Sequence, residues 1–275
     1  MPTPNLQHVE MHLLLEGVFQ IYGHDFRDYA EASLHRRLNK WLAESKFSGF
    51  SEAQGPVLRD PAVFQTLLKG LTVHVTEMFR DPLAFKALRE EVIPHLRTYP
   101  FLKVWVAGCA TGEEAYSLAI LLEEEGFKDR YRIYATDIDP EVLTQAKAGI
   151  YPLKELQKFT QNYQKAGGKA AFSDYYTASF DLAMLEPRLR DRMVFATHNL
   201  AVDAGFGEMN LVLCRNVLIY FKPNLKGRVL ELLDASLAPG GFLCLGQKES
   251  LDTTPWQKGY QEIAPRSRVY RKRYE

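Results

Sequence analysis

Val104-Trp105-Val106-Ala107-Gly108-Cys109-Ala110-Thr111-Gly112-Glu113-Glu114 is the stretch that decides the fold class. An apolar strand, begun at Lys103, runs through a glycine turn into a helix start. Four more short runs have strand character: Tyr131 to Ala135, Met193 to Ala196, Leu211 to Cys214 and Phe242 to Leu245. Amphipathic stretches lie between them, Glu113 to Glu125, Pro140 to Ala148 and Pro223 to Leu237. Strands buried on both faces and joined by helices build an open, mostly parallel α/β sheet of the doubly wound, Rossmann-like kind. Ser267 to Arg271 is expected to add an edge strand.

The residues up to about Gly70 keep a different rhythm. Leu14, Val18 and Ile21, then Leu34, Leu38 and Leu42, then Val63, Leu67 and Leu71 recur at helical steps. Asp60-Pro61 matches a helix cap followed by a first-turn proline. Lys46 to Gly55, rich in Ser and Gly, is expected to be a loop. Residues 1–72 therefore predict an all-helical N-terminal domain, 73–99 a linker with a first helix, and 100–275 the α/β domain. The alternation breaks between Tyr151 and Arg192, where Gly167-Gly168 sits with Phe172, Tyr175, Tyr176 and Phe180. Structureless loops of that length are rare inside compact domains, so a small inserted β-subdomain is expected at about 152–192.

The glycine turn points to a ligand. Gly108 lets the backbone approach closely, and the helix that follows offers free N–H groups. The spacing is GxxxG, with neither GxGxxG nor GK[ST]. Glu113 and Glu114 would repel phosphates and suit a cationic, phosphate-free nucleoside such as the sulfonium S-adenosylmethionine; their other reading is a favourable helix dipole. Asp137, ending the second strand run, is placed to accept ribose hydroxyls, whereas Asp139 before Pro140 reads first as a helix cap. Pro239-Gly240-Gly241 is expected to turn from a helix into the strand that follows.

Four motifs occur in order: Val75-Thr76-Glu77-Met78-Phe79-Arg80-Asp81, Ala110-Thr111-Gly112-Glu113-Glu114-Ala115-Tyr116-Ser117, Ala135-Thr136-Asp137-Ile138-Asp139 and Cys214-Arg215-Asn216-Val217-Leu218-Ile219-Tyr220-Phe221. The last is the most specific. From about Leu14 to Tyr270 the chain resembles the chemotaxis-receptor glutamate O-methyltransferases, the CheR type. The resemblance implies S-adenosylmethionine as cofactor and S-adenosylhomocysteine as product. It implies that Thr76 and Arg80 contact the methionine part, with His74 standing where the family usually has Asn. Glu113 and Asp137 or Asp139 would hold the aminoacyl and ribose ends, and Asn199-Leu200 would border the adenine. Arg215-Asn216-Val217 would line the methyl-transfer site, with Arg215, Arg80 and Tyr220 as the catalytic, orienting groups.

A resembling protein would transfer a methyl group to glutamate carboxylates in the helical cytoplasmic region of a methyl-accepting chemoreceptor. The helix Ser33 to Lys46, with His35, Arg36, Arg37 and Lys40, would dock on that acidic substrate. In the family the β-subdomain can tether a receptor tail, and the longer insert here puts that in question. Arg266, Arg268, Arg271, Lys272 and Arg273 read as the exposed face of an edge strand.

With 34 basic and 34 acidic residues the net charge is zero, which argues against a nucleic-acid partner. No apolar run has the length of a membrane span, and Met1 to Glu10 lacks a signal-peptide pattern. Cys109, Cys214 and Cys244 lie in apolar runs without CxxC spacing, so no disulfide framework and no metal site is expected, and a cytoplasmic monomer is the default. Two other readings compete: a cofactor-binding signalling scaffold with weak catalysis, and a methyltransferase acting on RNA or a small molecule. The latter predicts an NPPY-type motif, and Cys214-Arg215-Asn216-Val217 is not one.

Overall fold

Helical periodicity organises the first part of the chain. In the computed structural model, which describes residues 5–274, α1 (Leu6–Tyr22), α2 (Glu31–Glu44), α3 (Phe50–Arg59) and α4 (Pro61–Leu71) form one compact unit with residues 199–204 and 219–229. Leu14, Val18, Leu34, Leu38, Leu67 and Leu71 are buried, so most of the helical steps of the sequence face a core, whereas Ile21 is exposed and lies off that face. Tyr22 stacks on Phe64 with ring centres 3.9 Å apart and donates to Val57 O at 2.9 Å. Asp60 caps α4 by accepting from the Ala62 N–H at 2.9 Å, with Pro61 in the first turn.

The expected loop over 46–55 is corrected in its second half, because α3 begins at Phe50. Phe50, Ala53 and Val57 are buried at helical spacing, and the Ser48 N–H and hydroxyl bind Glu52 just ahead of them. Burial of that stripe outweighs the low helix preference of Gly55 and Pro56.

The second unit comprises residues 74–198, 205–218 and 230–274. It opens with α5 (Pro82–Ala87), a π-helical turn over Leu88–Val92 and α6 (Ile93–Leu96). Then follow β1 (Leu102–Ala107), α7 (Glu113–Glu124), β2 (Tyr131–Asp137) and α8 (Pro140–Ala148). The insert holds β3 (Ile150–Pro152), α9 (Leu156–Lys165), β4 (Tyr176–Ser179), β5 (Leu182–Leu185) and α10 (Pro187–Arg190). The main sheet resumes with β6 (Met193–Thr197) and β7 (Met209–Cys214). Then come α11 (Pro223–Ala235), β8 (Leu237–Leu245), β9 (Tyr260–Ala264) and β10 (Val269–Lys272). The seven strands run β6-β2-β1-β7-β8-β10-β9, parallel from β6 to β8 and antiparallel at β10 and β9. Val104, Val106, Ile133, Leu211 and Leu213 are buried, as strands covered on both faces require.

Three expectations change here. The C-terminal strand is not at the edge: β10 lies between β8 and β9, and the edge is β9, which the sequence reading missed. Its cations are accordingly not one exposed face, since Lys272 Nζ donates to Asp234 O at 2.7 Å. Pro239-Gly240-Gly241 lies inside β8, where its pairing with β7 shifts register, so it is a strand irregularity and not a turn before the strand. The insert is a three-stranded antiparallel sheet, β3-β5-β4, joined by the helix α9, whose Leu156, Phe159 and Tyr163 are buried at helical spacing. Among the described residues no helix is long and apolar enough to cross a membrane.

Candidate functional site: the mouth of strands β1, β2 and β7

The strand order reverses at β1: the chain runs to β2 and β6 on one side, then returns to β7 and β8 on the other. Open α/β sheets bind ligands outside the carboxyl ends of strands at such a switch point. The turns after β1 and β7 meet there. Gly108 has φ +75°, and a Cβ on it would stand 2.6 Å from Val217 Cγ2, so no other residue fits.

Backbone strain occurs on both turns and on the segment before α5. Phe79, Asp81, Ala110 and Asn216 are non-glycine residues with φ between +48° and +60°. Such conformations persist only where surrounding contacts impose them, and they favour functional sites.

The β1 turn is held by β2. The Gly108 and Cys109 N–H groups donate to Thr136 O at 2.8 and 2.9 Å. Asp137 accepts from the Ala110 N–H at 2.9 Å and the Asp139 N–H at 3.1 Å, one on each oxygen. Burial pushes the Asp137 carboxyl up, against the pull of those two donors. Each oxygen retains a lone pair for a further donor. Asp139 caps α8 by accepting from the Glu141 N–H at 2.8 Å, and its other oxygen lies 3.2 Å from His74 Nε2. Burial raises the Asp139 carboxyl, but His74 and the Glu141 N–H outweigh it and hold it low. His74 thus partners a capping acid.

Glu113 opens α7, buried, with the Thr111 hydroxyl 2.9 and 2.7 Å from its two oxygens. Burial pushes its pKa up from 4.5 to about 7. The folded chain therefore holds an extra proton between pH 4.5 and about 7, and its stability falls as pH rises through that window. The expected loss approaches about 3 kcal/mol. Glu113→Gln should flatten this part of the stability profile in urea titrations from acid to neutral pH. An identical profile in the variant would refute the buried ionisation.

Arg215 follows β7 and its side chain is 1% exposed. Its guanidinium donates to Glu114 Oε2 at 2.6 Å, Asp81 Oδ2 at 2.9 Å and Arg80 O at 3.0 Å. Burial opposes its charge, and Glu114 and Asp81 more than offset that, raising its pKa. Both terminal nitrogens are thus engaged inside the protein. The expectation of Arg215 as a substrate-orienting cation gives way to that of a clamp joining the segment before α5 to α7 and β7. Arg80 is partly exposed, and its Nη1 donates to Val75 O at 3.2 Å. The sequence reading gave Glu114 only to the cofactor or the helix dipole, and it missed Asp81 and Glu249, whose Oε2 accepts from the Asn216 N–H at 2.9 Å and the Gly246 N–H at 2.6 Å. Asp81 had a signal, since an Asp before Pro82 suggests a cap, yet its side chain makes no cap bond.

Comparison with known proteins decides the family. The description "CheR methyltransferase, SAM binding domain" matches residues 74–264, and "CheR methyltransferase, all-alpha domain" matches residues 10–72. This chain belongs to the CheR methyltransferase family. It is 47% identical over 264 residues to the Cher3 protein of Pseudomonas putida, covering 96% of this chain and 97% of that one. It is 29% identical to a chemotaxis protein methyltransferase of Listeria monocytogenes, covering 83% and 85% of the two chains. With chemotaxis protein methyltransferase 1 of Pseudomonas aeruginosa it shares 30% identity over 80% and 82%.

The cofactor of this CheR-family methyltransferase is S-adenosylmethionine. The donor set at the strand mouth fits it. Carboxylates of Glu113 and Asp137 suit an ammonium and ribose hydroxyls, residues 107–114 carry no Lys or Arg to hold phosphate, and Gly108 keeps a Cβ out of the crevice. Strand ends and turns bring His74, Gly108, Glu113, Asp137, Asp139, Asn216 and Val217 into one unit, with Thr76 and Arg80 on the segment before α5. Asn199, Leu200 and Tyr220 belong to the helical unit. There Asn199 accepts from the Ala201 N–H at 3.0 Å, and the ring of Tyr220 lies 4.7 Å from the Arg37 guanidinium.

The expected basic stripe on α2 is also broken. Arg37 is half-buried, donates to Leu71 O at 2.5 Å, and has its pKa pulled down by burial. Arg36 and Lys40 stay exposed, with Lys40 3.7 Å from Glu44.

Proposed function

We propose that this CheR-family methyltransferase esterifies glutamate side chains in the helical cytoplasmic region of a chemoreceptor. The observation that carries the reading is the β1–β7 switch point, where the Gly108 turn closes on Val217 beside the accepting carboxylates of Glu113 and Asp137. Relatives named as chemotaxis protein methyltransferases support methylation in chemotaxis, and the receptor glutamate as substrate rests on the resemblance carried by Cys214 to Phe221.

S-adenosylmethionine supplies an electrophilic methyl group when bound. Asp137 takes the ribose hydroxyls and Glu113 the ammonium of the aminoacyl end. Thr76 and Arg80 contact the methionine part, and on the family pattern Asn199 and Leu200 border the adenine. A substrate glutamate has an ordinary pKa near 4.3 and is already a carboxylate at neutral pH, so no general base is required. Alignment of the reacting atoms is the main task and can contribute roughly 7–11 kcal/mol. Because charge is neutralised in the reaction, a cation held tightly against the nucleophile would favour reactants over the transition state. Locking Arg215 onto Glu114 and Asp81 keeps it from that role and leaves Arg80 to orient the carboxylate.

Docking falls to α2, through Arg36 and Lys40. The double reversal Arg36→Glu with Lys40→Glu is expected to lower methylation of a receptor cytoplasmic fragment roughly tenfold, since each lost charge contact is worth about 0.5–1 kcal/mol. Cofactor affinity by calorimetry should stay unchanged. Base-labile methyl counting is the assay. Cofactor binding without any base-labile methyl on receptor fragments would sink the substrate reading, and equal turnover in the variant would remove α2 from recognition.

A further inference from the structure

We propose that the helical unit carries a binding site for a divalent transition-metal ion of the zinc class, formed by His8 on α1 with Glu31 and His35 on α2. The residues come in two pairs with one-turn spacing, His8 and His12 on α1 and Glu31 and His35 on α2, so each helix presents its pair on one face. One ligand atom each from His8, Glu31 and His35 lies within 4.8 Å of the others. His8 Nδ1 stands 3.5 Å from Glu31 Oε1, and His35 Nε2 stands 3.8 Å from the same oxygen. Metal–ligand bonds near 2.1 Å in a tetrahedron place neighbouring ligand atoms roughly 3.4 Å apart. Two of the three separations therefore approach coordination spacing with no backbone movement.

A histidine–glutamate ion pair accounts for one imidazole on a carboxylate, not for three gathered together. The His8 ring centre is 4.4 Å from that of His12 and 5.3 Å from that of His35. Three protonated imidazoles at that distance would repel, whereas a metal ion selects the neutral form. Gln7 Nε2 donates to Asn39 Oδ1 at 2.7 Å, tying α1 to α2 beside the cluster. The donor set is imidazole and carboxylate without thiolate, which suits Zn²⁺, Ni²⁺ or Cu²⁺ better than Mg²⁺ or Ca²⁺. His8 and His35 are half-buried and Glu31 exposed, so a water can complete the shell. The expectation of no metal rested on cysteine spacing and did not weigh these histidines.

The untagged full chain, stripped with chelator, tests this by calorimetry with ZnCl₂ and with NiCl₂ near neutral pH. One ion per chain should bind, with Mg²⁺ giving no heat. His8→Ala and His35→Ala should each weaken binding at least about tenfold. Co²⁺ should give a visible absorption band that both variants lose. Stoichiometric binding unchanged in both variants, or binding only at millimolar metal, overturns the proposal. Affinity for S-adenosylmethionine, measured on the same variants, should not move, so failure here leaves the cofactor reading standing.

Discussion

Arg215→Ala is expected to cost roughly 3–5 kcal/mol of folding stability and to abolish methyl transfer. The guanidinium bonds both Glu114 and Asp81, and it also donates to the Arg80 carbonyl. Removing it leaves Glu114, 12% exposed, and Asp81, 24% exposed, without their guanidinium partner, and an uncompensated charge held largely inside the protein is what makes such deletions severe. Arg215→Lys should fall between, because one ammonium cannot reproduce a planar fork reaching two acids at 2.6 and 2.9 Å. Pairing Arg215→Met with Glu114→Gln removes charge from both sides and should recover part of the loss. Urea unfolding with an unchanged slope is the measurement. A loss under about 1 kcal/mol for Arg215→Ala would mean the pair is solvated and the clamp does not exist.

Activity should follow from position more than from charge. Arg215 joins the segment before α5, the start of α7 and the turn after β7, and three of these neighbours hold positive φ: Phe79, Asp81 and Asn216. Strain of this kind costs of order 1–3 kcal/mol per residue and relaxes once its tether is cut. The Arg215→Met and Glu114→Gln pair should therefore regain stability without regaining turnover, which separates a positioning residue from a general need for a folded chain.

That clamp also marks the limit of what the residues disclose in order. The strand–turn–helix at Val104 to Glu114 was legible because β-branched runs, a glycine turn and an amphipathic helix each have a local signature. The place of Asp137 at the end of β2, beside the turn, was legible for the same reason, since its distance along the chain from the turn is short and fixed by one crossover. Arg215 was recognisable as special but its task was not, because its partners lie 101 and 134 residues away and only the fold brings them together. The same holds for Glu249, 33 residues beyond the Asn216 N–H it accepts from. Edge and interior strands differ in pairing and not in composition, hence the misplacement of β10 and the omission of β9. The loop expected over 46–55 failed for the opposite reason: composition outweighed the buried stripe Phe50, Ala53 and Val57, which was present in the sequence all along.

Asp137→Ala is expected to weaken S-adenosylmethionine binding by about 100-fold, the loss of two hydrogen bonds from a carboxylate at about 1.5 kcal/mol each. Its contribution has two parts that calorimetry and unfolding can separate. One is direct, the lone pairs left for ribose hydroxyls. The other is structural: the Ala110 and Asp139 N–H groups lose their acceptor, and the β1 turn is no longer tied to the end of β2. Asp137→Asn keeps one carbonyl oxygen for one of those N–H groups and turns an NH₂ toward the other. It should therefore lose less stability than alanine while losing most of the affinity. Asp139→Ala makes the comparison, since its oxygens already serve the Glu141 N–H and His74. It should cost about 1 kcal/mol as a lost helix cap and change cofactor affinity several-fold at most. The reverse order, with Asp139→Ala crippling binding and Asp137→Ala sparing it, would transfer the ribose contact to Asp139 and leave Asp137 as the tether of the turn.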